Sequence, residues 1–153
     1  MCFLLYAGTD EPIARVAWNQ NTRDLSVRNL LDGETSIRQY FTRPEVQYIG
    51  STTGCGCGFP SVMEQNGGWP FWEDPDEVRD PDDVAEDLFN REGLVRLLRS
   101  TGEEVIELYG IWADTVSEPP HIREDIALGE ILKPDFRFKE FGFYRVGVPP
   151  GAQ

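Results

Sequence analysis

Cysteine, histidine and basic residues are all scarce in this sequence. Its 153 residues include three cysteines, one histidine and 14 lysines or arginines, whereas 27 are aspartate or glutamate, so the formal net charge is -13. Such an excess of negative charge repels nucleic-acid phosphates and anionic membrane surfaces, and we expect neither as a partner. A basic protein is the kind of partner that this charge would favour.

The sequence also lacks the apolar segments that target or anchor a chain. No stretch approaches the ~18 consecutive apolar residues of a transmembrane helix. The opening segment, residues 1–12, has a short apolar run that no basic residue precedes and that Asp10 and Glu11 follow closely, which is not the pattern of a signal peptide. We therefore expect a cytoplasmic location, where an odd number of cysteines stays reduced unless something binds them.

Short apolar segments between turn residues make up most of the remaining chain. The 11 prolines and 15 glycines predict many turns and few long elements. Apolar runs or strict alternation, bounded by turn residues, predict strands at residues 2–8, 25–31, 45–50, 103–112 and 136–148. The expected fold is α+β: a single small domain over residues 1–153, with a five- or six-stranded, mostly antiparallel or mixed sheet and one main helix.

The main helix is predicted over residues 80–102. Asp80 is a good N-cap, Pro81 suits the first helical position, and Gly102 is a typical stop. Apolar residues at helical spacing predict its buried stripe, which consists of Val84, Leu88, Val95 and Leu98. One further helical turn is predicted at residues 36–41, before Pro44.

Two other regions carry candidate functional groups. The loop of residues 60–80 is rich in aromatic residues and predicts either a ligand-facing flap or a cluster packed beneath the loop. The acidic run over residues 73–92 predicts a solvated helix start, or alternatively a surface for a basic partner. At least one of Glu107 and Glu140 is predicted to point inward, and the simplest partner for it is one of three arginines: Arg28, Arg38 or Arg145.

Residues 50–60, GSTTGCGCGFP, place two cysteines one residue apart in a glycine-rich turn. No helix-opening G-x-G-x-x-G and no P-loop lysine is present, which argues against a phosphate-binding loop. In an extended chain Cys55 and Cys57 project to the same side, so both thiolates can meet one ion. Cys2 is the predicted third ligand and His121, the one histidine, the predicted fourth, which would complete a Cys₃His site for zinc or another thiophilic metal.

This metal site is our leading functional hypothesis, and it requires the first strand to lie beside the strand that ends at Gly50. Three alternatives stay open. The cysteines can simply pack in a tight corner of an acidic interaction or immunity-type protein, they can act as a redox dithiol, or one of them can be a nucleophile that uses His121 or the N-terminal amine as its base. The sequence therefore leaves open whether the protein is an enzyme.

Four segments together resemble a small group of uncharacterised bacterial proteins: the Met1–Cys2 start with its apolar strand, YIGSTTGCGCGF at residues 48–59, VIELYGIW at 105–112, and FRFKEFGFYRV at 136–146. Proteins of this group open with Met-Cys and carry a Gly-Ser-x-x-Gly-Cys-Gly-Cys-Gly-Phe block before an acidic loop and a helix. The resemblance implies a bacterial origin and one compact domain. It also implies that Cys2, Cys55 and Cys57 form one site, although it implies no reaction.

Overall fold

A computed structural model describes residues 2–62 and 80–150. These residues form eight strands and one α-helix, joined by loops and short 3₁₀ segments. The strands are β1 (Phe3–Thr9), β2 (Ser26–Asn29), β3 (Glu45–Gly50), β4 (Ser61–Val62), β5 (Val105–Trp112), β6 (Ile122–Ala127), β7 (Phe138–Lys139) and β8 (Gly142–Gly147), and the helix is α1 (Pro81–Ser100). The predicted α+β class, with one main helix, is confirmed.

The main sheet has six strands in the order β2-β3-β1-β5-β8-β6. β1 lies in its interior and pairs antiparallel with β3 on one side and with β5 on the other. At one edge β6 runs parallel to β8, so the sheet is mixed, as the sequence allowed. The two-residue strands β4 and β7 form a separate parallel pair.

Both faces of the central strands are buried, because each packs against a different layer. Phe3 and Leu5 of β1 lie in a core cluster that includes Leu94 of α1. Tyr6, with the opposite parity, lies in a second cluster with Ile37 of the 3₁₀ segment Asp32–Tyr40. β5 is buried at every position after its first residue, which confirms the prediction of a central strand covered on both sides.

The ends of α1 follow the predicted capping pattern. The Asp80 carboxylate accepts a hydrogen bond of 2.8 Å from the Asp82 N–H, and Pro81 occupies the first turn. The helix ends at Ser100, and Gly102 has a φ of +72°, a left-handed conformation that favours glycine.

The predicted apolar stripe of α1 is correct only in the C-terminal half of the helix. Leu94, Val95 and Leu98 are buried, whereas Val84 and Leu88 are each 46% exposed. The stripe at this end packs on the sheet core that contains β1, so burial depends on which part of the helix meets the sheet and not on periodicity alone.

Glu107 is buried, as predicted, but its partners are not the expected arginines. Its carboxylate accepts hydrogen bonds from the N–H groups of Thr42 (2.8 Å) and Arg43 (3.0 Å), and from the Thr42 hydroxyl (2.7 Å). Glu107 therefore joins β5 to the chain that leaves the 3₁₀ segment. Glu140 is buried as well.

The predicted strand over residues 136–148 is divided between two sheets. β7 pairs with β4, whereas β8 belongs to the main sheet, and Phe141 between them has a φ of 58°. The single strand predicted over residues 136–148 is thus two strands with a break at Phe141. The helical turn predicted at residues 36–41 lies largely within the longer 3₁₀ segment Asp32–Tyr40.

Of the loop predicted over residues 60–80, Ser61–Val62 form β4, whereas residues 63–79, which include the first part of the acidic run, lie outside the described residues. Further along that run, two carboxylates have arginine partners: Asp87 binds Arg91 at 2.7 Å, and Glu86 binds Arg23. Within residues 2–62 and 80–150, no helix has the length and apolar character to cross a membrane.

Candidate metal centre

Strand pairing brings the start of β1 to the turn that contains the other two cysteines. β1 and β3 are antiparallel, with Leu5 opposite Ile49, so the chain before β1 lies beside the chain that follows β3. On its other side Cys2 is fixed by the residue that follows β5, because its carbonyl accepts a hydrogen bond of 2.9 Å from the Ala113 N–H. The prediction that the first strand lies beside the strand ending at Gly50 is confirmed.

The turn after β3 is closed by its own backbone. The Ser51 N–H donates to the Cys55 carbonyl at 2.7 Å, and the Gly54 N–H donates to the Ser51 carbonyl at 2.9 Å. Gly54 has a φ of +89°, where a side chain would be strained. A Cβ on Gly56 would lie only 2.5 Å from the carbonyl oxygen of Phe3, so this turn can approach β1 closely because residue 56 is glycine.

Helix α1 holds the same turn from its outer side. The Thr52 N–H donates to Asn90 Oδ1 and the Thr52 hydroxyl to Glu86 Oε1, each at 2.9 Å. Asn90 is fully buried, and its amide also donates to the Glu86 carbonyl at 3.0 Å. The sequence assigned neither residue to the site, because no local pattern marks a helix residue that supports a distant turn.

Trp18 covers the turn on the solvent side. Its Nε1 donates to the Thr52 carbonyl at 3.1 Å, and its ring carbons lie 3.1 Å from the position that a Cβ on Gly54 would occupy. The side chain is nevertheless 47% exposed. A partly exposed indole therefore packs on Gly54, the residue before Cys55.

The three sulfur atoms converge. The Sγ atoms of Cys2, Cys55 and Cys57 all lie within 4.8 Å of one another, and all three cysteines are free. Cys2 and Cys55 are partly buried, whereas Cys57 is exposed, so the cluster opens to solvent on the Cys57 side. The expected juxtaposition of the three cysteines is confirmed.

The thiols are electrostatically unequal. Burial opposes ionisation of Cys55, but hydrogen bonds from the Thr53 hydroxyl, the Cys57 N–H and the neighbouring thiols outweigh it and hold the pKa of Cys55 below its ordinary value. The pKa of Cys57 is raised to about 12, mainly by burial and further by the hydrogen bond with Cys55 and the negative charge of the Cys55 thiolate. The first ionisation in the cluster is therefore favoured at Cys55, and the charge of that thiolate opposes ionisation of Cys57.

His121, the predicted fourth ligand, is not part of the cluster. Its Nε2 lies 3.0 Å from a Glu118 carboxylate oxygen and its ring packs on Phe141, with centroids 4.4 Å apart. The reason is topological: His121 precedes β6 at the edge of the sheet, and β5 and β8 separate β6 from β1. Three strand spacings amount to about 14 Å.

A buried polar network lies on the far side of the turn. The Tyr48 hydroxyl donates to the Gly54 carbonyl at 3.2 Å, and the Arg28 guanidinium stacks 4.0 Å above the Tyr48 ring. Arg28 donates twice to the Glu34 carboxylate, at 2.6 and 3.1 Å, and Tyr6 donates to the same carboxylate. Burial, followed by the nearby Cys55 thiol, raises the pKa of Tyr48, so this side of the turn presents a neutral phenol.

The sequence alone did not predict this network. The only residue of this network with a local sequence pattern is Glu34, an acidic residue in the first turn of the 3₁₀ segment. Its carboxylate accepts a hydrogen bond of 2.8 Å from the Leu31 N–H. Burial opposes ionisation of Glu34, but the hydrogen bonds from Arg28, Tyr6 and the Leu31 N–H outweigh it and hold the pKa of Glu34 below its ordinary value.

Comparison of the chain with protein-family models, with curated proteins and with solved structures gave no significant match. Zinc bound tetrahedrally by thiolates at about 2.3 Å places their sulfur atoms about 3.8 Å apart. Three sulfur atoms within 4.8 Å of one another need to move by no more than about an ångström to reach that separation.

Proposed function

We propose that Cys2, Cys55 and Cys57 bind a thiophilic metal ion of the zinc class. The observation that supports this function is the convergence of three sulfur atoms from two distant parts of the chain within 4.8 Å of one another. Thiolates are preferred ligands of zinc and other soft ions, and three of them match the protein ligand count of many open zinc sites.

The surroundings of the sulfur atoms support the same function. The Cys57 N–H donates to Cys55 Sγ at 3.4 Å, and the Thr53 hydroxyl lies at the same distance from that sulfur. Such hydrogen bonds to thiolate ligands orient them and disperse their charge, as partners of metal ligands commonly do. A corner that only packs cysteines needs neither an exposed thiol nor a lowered thiol pKa.

Metal analysis of protein purified without chelator tests the proposal. We expect about one equivalent of zinc or a similar ion per chain, with three thiols that become reactive only after the metal is removed. Cys57→Ser should lose the ion, because two thiolates are left. His121→Ala is the matched control and should retain the ion, since His121 lies outside the cluster. Metal-free wild-type protein that binds no added zinc and has three freely reacting thiols would contradict the proposal.

A second candidate function is thiol chemistry at Cys55. The observation that favours it is geometric: Cys55 Sγ accepts a hydrogen bond of 3.4 Å from the Cys57 N–H and lies within 4.8 Å of the Cys57 sulfur. Hydrogen bonding lowers the pKa of Cys55, whereas the pKa of Cys57 is raised. An attacking thiolate and a nearby resolving thiol are the two parts of a dithiol redox pair. Reversible formation of an intramolecular disulfide in metal-free protein, at the potential of a cellular thiol couple, would favour this candidate over the metal site.

A further inference from the structure

The number of protein ligands at the candidate metal centre leads to a further inference, which rests on the proposed function. Within residues 2–62 and 80–150, the cluster contains three cysteine sulfurs and no histidine, aspartate or glutamate that lies within 4.8 Å of all of them. Zinc-class ions prefer four ligands in a tetrahedral arrangement. The described protein atoms therefore supply three ligands and leave one position for a ligand from outside.

We propose that an external thiol supplies the fourth ligand, so that the site captures thiol compounds on a thiolate-bound metal ion. The direction from which this ligand enters is set by the exposed Cys57, since Cys2 and Cys55 are partly buried. The Trp18 indole, 47% exposed on Gly54, borders the same turn and offers apolar contact to the carbon atoms of the incoming compound.

The charge of the site explains why a thiol is preferred to water. Three thiolates exceed the charge of a divalent ion by one, so the ion acidifies bound water much less than an ion held by neutral histidines does. A polarisable sulfur is a better match than oxygen for an ion that already has three sulfur ligands. The extra negative charge is dispersed by the Cys57 N–H, which donates to Cys55 Sγ at 3.4 Å.

The binding step is a ligand exchange without oxidation. The external thiol, RSH, loses its proton to the buffer, its sulfur forms a bond to the metal ion, and the water at that position leaves. No bond within the external thiol other than S–H is broken. The thiol can come from a small metabolite or from a cysteine in a peptide, and both present the same sulfur chemistry to the site.

Cobalt(II) titration of the full chain under argon tests the inference. Co²⁺ replaces zinc in tetrahedral sites, and each thiolate bound to it contributes a sulfur-to-metal charge-transfer band. Adding 2-mercaptoethanol, or N-acetylcysteinamide as a blocked cysteine, should raise this intensity by about a third as three thiolates become four. Each bound thiol should also release one proton. Tighter binding of N-acetylcysteinamide would identify peptide cysteine as the source, and tighter binding of 2-mercaptoethanol a small thiol.

Two controls separate this inference from the proposed function. 2-(Methylthio)ethanol, which has no S–H proton, should leave the spectrum unchanged, and His121→Ala should respond to thiols like the wild type. If Co²⁺ binds with three-thiolate intensity and added thiol changes nothing, the external ligand is refuted while the metal site stands. If neither Co²⁺ nor added zinc binds, both proposals are refuted.

Discussion

Replacement of Gly56 by alanine tests whether the close approach of the cysteine turn to β1 creates the site. A Cβ at residue 56 would lie 2.5 Å from the Phe3 carbonyl oxygen, whereas ordinary contacts begin at 3.4 Å. The turn and the strand must separate by up to 0.9 Å to relieve this overlap. Because Cys55 and Cys57 flank Gly56, their sulfur atoms move away from Cys2 with it.

The size of the effect follows from two separate costs. Forcing one extra carbon into a well-packed site costs about 1–3 kcal/mol, which for a chain of this length corresponds to a fall in Tm of about 2–12 °C. Loss of one outer-shell partner commonly lowers metal affinity 10- to 100-fold, and displacing two of the three ligands disturbs the site at least as much, so we expect metal affinity to fall by at least about 10-fold. Differential scanning calorimetry of the metal-free protein and competition with a zinc chelator measure the two effects independently.

Gly129→Ala is the matched control for this substitution. Gly129 lies in the 3₁₀ segment Leu128–Leu132, and a Cβ there would meet no atom within 4 Å. Its effect on stability should stay within about 0.5 kcal/mol, and its metal affinity should equal that of the wild type. If Gly56→Ala behaves like Gly129→Ala in both measurements, close approach of the turn to β1 does not create the site.

Two further predictions follow from the pKa shifts. In metal-free protein near neutral pH, iodoacetamide should modify Cys55 before Cys57, although Cys57 is the more exposed, because the thiolate is the reactive form. Peptide mapping of the labelled protein measures the order of modification, and the preference for Cys55 should vanish in urea. Faster labelling of Cys57 in folded protein would contradict this prediction. Glu34→Gln should cost about 1–3 kcal/mol, less than for a fully buried pair because the Arg28 side chain is 36% exposed. The pKa of Glu34 is lowered in the folded state, so the difference in unfolding free energy between wild type and Glu34→Gln should be largest above the unfolded pKa of about 4.3 and should shrink as pH falls through the folded pKa. Urea unfolding at a series of pH values measures this difference. A difference that does not depend on pH would contradict the role given to Glu34.

The sequence predicted the elements whose signals are local. The strands β1, β3 and β5 come from apolar runs closed by turn residues, and the start of α1 from Asp80 and Pro81. The convergence of the cysteines could also be predicted, because placing the first strand beside β3 brings Cys2 to the turn that follows.

Features that depend on packing between distant elements were not predictable in the same way. Val84 and Leu88 have the periodicity of buried residues, yet burial on α1 depends on where the sheet core meets the helix. His121 was chosen as a ligand because it is the one histidine in the chain, and strand order excluded it from the cluster. Asn90 carries no pattern that identifies it as a support for the turn, since its role exists only once α1 lies beside β3.

The interior position of β1 in the sheet has a consequence for how the site assembles. β1 joins segments about 40 and about 100 residues further along the chain, so the cysteine cluster is complete only after contacts of high sequence separation have formed. An ion bound there cannot nucleate folding locally, as it does in domains whose ligands lie on one hairpin. Metal capture during refolding would instead be a late event that reports closure of the central sheet, and the ion would slow unfolding more than it speeds folding.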